Sequence, residues 1–189
     1  MIKDLIIKNR SYRRFDNSHH ISRKTLEELV ELARLSASAA NRQILRFYLA
    51  STPDINDPIF SCLKWAGYLT DWDGPVPEER PSAYIVILKP SSLLAYIGHD
   101  TGIACQSILL GAVEKDLGGC MFGSVDRPRL HDLLKLSPDY DIELVIALGK
   151  PVEIIQLDSV VESDTKYWRD KSQIHHVPKR LLKDLIINR

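Results

Sequence analysis

An α+β fold is predicted by three features of this 189-residue chain. Only three or four segments have the composition of β-strands, against six with helical spacing, and the two kinds do not alternate as a doubly wound parallel sheet requires. The stretch 100–117 is helical in period but apolar on nearly all sides, which places it at the centre of the molecule. No internal repeat, low-complexity segment or linker divides the chain, so residues 1–189 read as one domain.

In chain order, Ile2, Leu5 and Ile6 give residues 2–9 one apolar helical face. After a loop at 17–20, Ser22 is placed to cap a second helix, whose apolar stripe is Leu26, Leu29, Val30 and Ala33. SASAANRQ (36–43) is small and polar, a loop, and RFYLAS (46–51) is aromatic and alternating enough for a strand. The proline-rich stretch 52–81 is expected to hold one helix near 59–69, and PSAYIVIL (81–88) reads as a buried strand. Along 100–117, Ala104, Ser107 and Gly111 form a small-residue strip open to close approach, and Gly118-Gly119 is expected to end the helix. Asp126 and Pro128 open a helix with Leu130, Leu133 and Leu134, and ELVIALG (143–149) is an apolar strand closed by Pro151. Residues 152–178 show little periodicity and are hard to place in a compact monomer. Pro178 is expected to begin a last amphipathic helix with Leu181, Leu182, Leu185 and Ile186.

A formal net charge of zero argues against general nucleic-acid binding, which draws its affinity from many phosphate contacts. Cys62, Cys105 and Cys120 are odd in number and widely spaced, which suits reduced buried thiols better than disulfides or zinc. MIKDLIIKNR lacks a signal-peptide apolar core, and no apolar run approaches the roughly 20 residues of a membrane span. The expectation is a cytoplasmic protein with no membrane partner.

Four segments have the makings of chemistry. NRSYRRFD (9–16) gathers three arginines, a serine and two rings. It is either a solvated basic face with the rings packed inward, or an anion site in which arginines and a hydroxyl suit a phosphate. SASAANRQ is either a polar connection or a loop whose Asn41 and Gln43 offer paired donors and acceptors to a flat polar ligand. GGCMFG (118–123) fits neither phosphate-loop template; it either ends a helix or exposes backbone N–H groups. The pairs His19-His20 and His175-His176 lack metal-ligand spacing and read as exposed loop histidines, so no metal is expected. Lys179 and Arg180 sit awkwardly at the start of a helix unless an anion lies nearby.

Taken together, NRSYRRF, ARLSASAANRQ, DTGIACQSILLGAVEKDLGG and ELVIALGKP, in that order and spacing, resemble the nitroreductase family of FMN-dependent oxidoreductases over nearly the whole chain. WAGYLTDWDGP and YWRDKSQIHHVPKR resemble a short bacterial branch of it. The resemblance implies a central, mostly antiparallel sheet flanked by helices in an intertwined homodimer, with FMN at the interface and the 152–178 tail packed on the partner. It would also explain the small strip on the long helix. It assigns Arg10 and Ser11 to the FMN phosphate and ribityl chain and Arg13 to the N1/O2 edge of the ring. Ser38, Asn41 and Gln43 would reach FMN from the other subunit; Gly119, Cys120, Met121 and Phe122 would pass the ring near O4 and N5; Lys179 and Arg180 would meet the phosphate. Asn9 stands where the family often has arginine. The implied activity is hydride transfer from NADH or NADPH through FMN N5 to a small-molecule acceptor, a nitroaromatic or quinone, in ping-pong fashion, with no catalytic acid or base required. The alternative is a flavin-binding carrier or sensor without turnover.

Overall fold

The computed structural model describes residues 1–94, 97–161 and 164–188. Its elements are α1 (Ile2–Lys8), β1 (Phe15–Asp16), α2 (Arg23–Leu35), β2 (Arg46–Ala50), α3 (Pro53–Ser61), β3 (Ala83–Pro90), α4 (Gly98–Glu114), β4 (Gly118–Phe122), α5 (Arg127–Leu133), β5 (Tyr140–Pro151), β6 (Ile155–Ser159), β7 (Trp168–Arg169), β8 (His175–Lys179) and α6 (Leu182–Leu185). Short 3₁₀ turns lie at Ala39–Asn41 and Pro77–Glu79.

The main sheet is antiparallel throughout. β5 is twelve residues long, and that length lets it serve three partners. One edge pairs with β3, which passes on to β2; the other is shared end to end by β4 and β1. Strand alternation then builds two cores. Tyr84, Val86, Val145 and Ala147 point to a cluster with Ile59 and Leu130, from α3 and α5. Ile85, Ile87, Ile146 and Leu148 point to the opposite cluster with Leu26, Leu29, Ile108 and Leu109, from α2 and α4. Because β3 and β5 are covered on both faces, they read as continuous apolar runs. The expected α+β sheet flanked by helices is present. Ser22 caps α2 as expected, its hydroxyl accepting from Thr25 N at 3.0 Å.

Several expectations are corrected. The helix placed near 59–69 runs instead over Pro53–Ser61, since Pro53 sits in the first turn, where no N–H is needed. Gly118-Gly119 does not end α4. Asp116 does so in a left-handed conformation (φ 54°), with Leu117 N bonded to Ala112 O at 2.8 Å and Asp116 N to Val113 O at 3.1 Å, a Schellman closure. The two glycines open β4 and are small because of crowding: a Cβ on Gly119 would lie 2.6 Å from Ala147 O, and one on Gly118 2.6 Å from Pro151. The small strip on α4 is occupied within the chain. A methyl on Gly111 would collide with Leu32 of α2, and Ser107 Oγ lies 2.7 Å from Ser36 Oγ.

The tail departs furthest from its reading. Residues without visible period form a second sheet in the order β6-β8-β7, with β6 and β8 parallel. Pro178 lies within β8 rather than at a helix start, and among the described residues beyond it only Leu182–Leu185 are helical. Three very short or parallel strands leave little periodic signal. Two ties secure this sheet. Glu153, its side chain 1 % exposed, accepts from the backbone N–H groups of Arg13 and Arg14 and from Arg169 Nη2 at 3.1 Å. His176 lies between Asp158 (2.7 Å) and Asp170 (3.5 Å) and stacks on Trp168 at 3.9 Å. Among the described residues no helix is long and apolar enough to cross a membrane.

Two outcomes are expected. Glu153→Gln turns one acceptor into a donor facing N–H groups and leaves Arg169 buried without its counter-charge; urea denaturation should show a loss of about 3–5 kcal/mol, the scale for breaking a buried pair. The second concerns pH. The hydrogen bond to Asp158, and then that to Asp170, raise the His176 pKa above its ordinary 6.5. The protonated clasp therefore contributes fully below about 6.5 and is lost as pH rises through the higher folded value. Asp158 and Asp170 are held below 3.8, the first by Gln156 and His176 and the second chiefly by the Ile174 N–H, so their share is lost as pH falls through those lowered values. Hydrogen-exchange protection of the His175–Lys179 amides, corrected for intrinsic rates, should peak between about 3.8 and 6.5 and decline above it. His176→Asn should abolish the alkaline decline.

Candidate functional site

The arginine cluster begins where α1 stops. Asn9 is the C-cap, and Arg10 folds back to donate to the carbonyls of Asn9 and Ile6. That uses two of five guanidinium N–H groups and leaves the rest for a ligand. The chain then runs extended beside β4, Ser11 bridging Gly119 and Tyr12 N donating to Gly119 O at 3.1 Å. Gly118 makes this approach possible, since the Tyr12 ring lies directly over it. Phe15 is fully buried against Gly149. Both rings thus pack inward, as the solvated-face reading supposed, but the arginines do not simply meet water. Arg14 is taken up by Glu79 in a bidentate pair with both contacts at 2.6 Å. Arg10 and Arg13 instead line a cavity of about 300 Å³.

Three further elements complete that cavity. β4 contributes Gly119, Cys120 and Met121, the last 46 % exposed. α4 contributes Gln106, whose carbonyl accepts from Asn9 at 3.3 Å, and Leu109. The tail contributes Tyr167, His175, Val177 and Lys179. Burial pushes the Cys120 thiol up, with the Arg13 charge and a Ser11 hydrogen bond opposing, so it stays a thiol and not a nucleophile. His175, expected in an exposed loop, is 1 % exposed; burial first and the charges of Arg13, Arg169 and His176 next depress its pKa to about 4. It is neutral at physiological pH.

Of the residues named from the sequence, Arg10, Ser11, Arg13, Gly119, Cys120, Met121 and Lys179 come together here. Phe122 does not: its ring is buried in the core, 4.6 Å from Trp65. Arg180 is exposed just beyond β8 and is not in the cavity wall. Ser38 and Gln43 line a different cavity of about 410 Å³ between α2 and β2. Their loop closes on itself: Ser38 Oγ accepts from Gln43 N at 3.2 Å, and Asn41 Oδ1 from Gln43 Nε2 at 3.1 Å. It is also strained, with Ala40, Asn41 and Gln43 all at φ near +50°. Gln106, Leu109, Tyr167, His175 and Val177 are wall residues that sequence reasoning missed. Of these, the histidine pair alone carries a sequence signal, and its local pattern points to exposure rather than burial.

The donor set fits a phosphorylated, flat polar ligand. Two guanidinium groups, a lysine ammonium and a hydroxyl converge, the glycine segment brings backbone close, and among the described residues no carboxylate lines the wall. The His175 Nδ1 is buried without a partner beside them.

Comparison with known proteins gives the fold and the family. The Nitroreductase family model matches residues 6–67 and 74–150. Protein DrgA of Synechocystis is 23% identical over 176 residues, covering 79% of this chain and 84% of its own. An oxygen-insensitive NADPH nitroreductase of Helicobacter pylori J99 is 26% identical over 183 residues, covering 79% and 87%. Among solved structures, a nitroreductase family protein of Streptococcus pneumoniae superposes with TM-score 0.70 at 14% identity over 100% of both chains. A protein of Exiguobacterium sibiricum solved in complex with FMN gives TM-score 0.68 at 16% identity, covering 81% and 89%. With the family pattern spanning most of the chain and the same fold around it, the chain belongs to the nitroreductase family.

Proposed function

We propose that the protein is an FMN-dependent oxidoreductase that takes reducing equivalents from NADH or NADPH and passes them to a small oxidised acceptor such as a quinone or nitroaromatic. One observation carries this: Arg10, Ser11 and Arg13, the β4 glycine segment and Lys179, far apart in sequence, converge on one cavity. Bound FMN would supply two-electron hydride chemistry that no side chain here can. Arg10, Ser11 and Lys179 are the residues that would hold its phosphate and ribityl chain. Arg13 would place a fixed cation at the pyrimidine edge, favouring the form with more negative charge there. The buried Cys120 thiol and neutral His175 add no competing acid, base or nucleophile.

The site is proposed to be completed by a second copy of the chain. Ile2, Ile6 and Ile7 of α1, Ile103 of α4 and Leu182 of α6 are all exposed, apolar side chains of the kind a partner chain would cover. Ser38, Asn41 and Gln43 do not reach the cavity of their own chain, which suits delivery to that of a partner.

The purified protein should carry flavin absorbance. Anaerobic NADH or NADPH should bleach it, and a quinone or nitroarene should restore it. Bleaching without restoration would favour a flavin carrier or sensor, and absence of flavin binding would overturn the proposal. Arg10→Ala should weaken FMN binding by about 1.5–3 kcal/mol, the scale of a charge-assisted hydrogen bond, as read by titrating the apoprotein. Its effect on apoprotein stability should stay under about 1 kcal/mol, since exposed capping contacts contribute little. Sedimentation at micromolar concentration should show a dimer; a folded, flavin-loaded monomer would remove the two-chain site.

A further inference from the structure

Arg13 is held by residues from the two least regular parts of the chain. Its Nη1 donates to Ser11 O at 3.2 Å and faces His175 Nε2 at 3.3 Å. Its guanidinium lies over the ring of Tyr167, 4.7 Å from the centroid. Tyr167 packs on His175 at 5.2 Å and also meets Tyr68 at 4.9 Å, where Tyr68 N donates to Tyr167 OH at 3.4 Å. Tyr68 belongs to the segment after α3; Tyr167 and His175 belong to the tail.

The chemistry of this contact allows one arrangement. A guanidinium has only donors and does not lose its proton. The Nε2 atom facing it must therefore accept, so the ring is neutral and its hydrogen is on Nδ1. Protonation would set two cations and two donors against each other in a buried place. The Nδ1–H then has no protein partner. A buried histidine with an unmet donor, beside Arg13 and Arg169, is a poor choice for packing alone. An apolar side chain would fill the space at less cost.

We propose that His175 is a positioning residue for Arg13: a neutral, Nδ1-protonated imidazole that accepts from the guanidinium and, with Tyr167 beneath it, fixes which donors Arg13 presents to the cavity. Burial and the flanking charges of Arg13, Arg169 and His176 keep the ring neutral down to about pH 4. Arginine has several rotamers, and a cation that must favour one charge state of a ligand works best when preset. What Arg13 faces rests on the flavin reading; how it is held does not.

The test has two arms. In the ligand-free full-length chain at neutral pH, ¹⁵N-edited NMR of the histidines should find His175 protonated on Nδ1 and bare on Nε2. An Nε2–H tautomer or an imidazolium would overturn the proposal. In the flavin-loaded protein, His175→Leu should reduce the preference for reduced over oxidised FMN about tenfold, which is about 30 mV in the two-electron midpoint potential. His175→Gln, whose carbonyl can accept from Arg13, should restore most of that loss. In an Arg13→Gln background, His175→Leu should shift the potential no further. An unshifted potential in His175→Leu, equal losses in the Leu and Gln variants, or a full shift without the Arg13 charge would each overturn the proposal. If the wild-type chain binds no FMN, the flavin reading falls by itself and the NMR arm decides this one. That arm also decides it if the leucine variant does not fold.

Discussion

The architecture of the site depends on one buried carboxylate. Glu153 follows β5, yet its oxygens accept from the backbone of Arg13 and Arg14 and from the side chain of Arg169. Three segments far apart in sequence thus meet at one charge. Main-chain N–H groups next to β1 have no strand partner on that side, and a carboxylate satisfies two at once. Its burial demands a cation, and Arg169 answers from β7, itself stacked at 4.8 Å on Trp72. A weak two-residue strand is thereby anchored to the main body. The tail sheet then hangs from that anchor and carries Tyr167, His175, Val177 and Lys179 to the cavity.

A second constraint is steric. The segment carrying Arg10, Ser11 and Arg13 can lie against β4 because Gly118 has no side chain to meet the Tyr12 ring, while Gly119 is kept small by β5 and α4, where Ala147 O and Leu109 crowd it. One contact does two things. It seats the Tyr12 ring, so that the segment is fixed, and it brings β4 backbone into the same wall as the arginines. The Arg14–Glu79 pair prevents the neighbouring arginine from competing for that wall. Three arginines in five positions are therefore sorted by packing into two that face the cavity and one that braces the fold.

Much of the fold was legible because burial leaves period. β3 and β5, covered on both sides, are continuous apolar runs, and the α2 stripe with its Ser22 cap is plain in the residues. What was not legible rests on long-range pairing. β4 looked like a helix stop because glycines serve both ends, and only the Tyr12 and Ala147 contacts show why these two are small. The tail sheet is made of strands as short as two residues, with a parallel pairing that no local pattern announces. His175 illustrates the limit best. Two adjacent histidines look solvent-exposed, yet the strand alternation of β8 sends their side chains to opposite faces, one toward Arg13 and Tyr167 and the other toward Asp158 and Trp168.

These features combine into a local field within a neutral chain. Formal charges balance over the whole sequence, but they are not evenly spread. Four acidic groups around the cavity's elements are engaged elsewhere: Glu153 on backbone and Arg169, Glu79 on Arg14, Asp158 and Asp170 on His176. The neighbours that titrate near neutrality in water are kept uncharged, His175 because burial and cations oppose its proton, Cys120 because burial opposes its loss. Arg10, Arg13 and Lys179 are left facing the same space with no carboxylate among the described wall residues. A concave, positively charged wall of low polarisability strengthens its pull on an anion. The concentration of arginine near the start of the chain is thus one part of a cavity wall whose remaining cation arrives with the tail, and whose sign is kept by engaging Glu153, Glu79, Asp158 and Asp170 elsewhere.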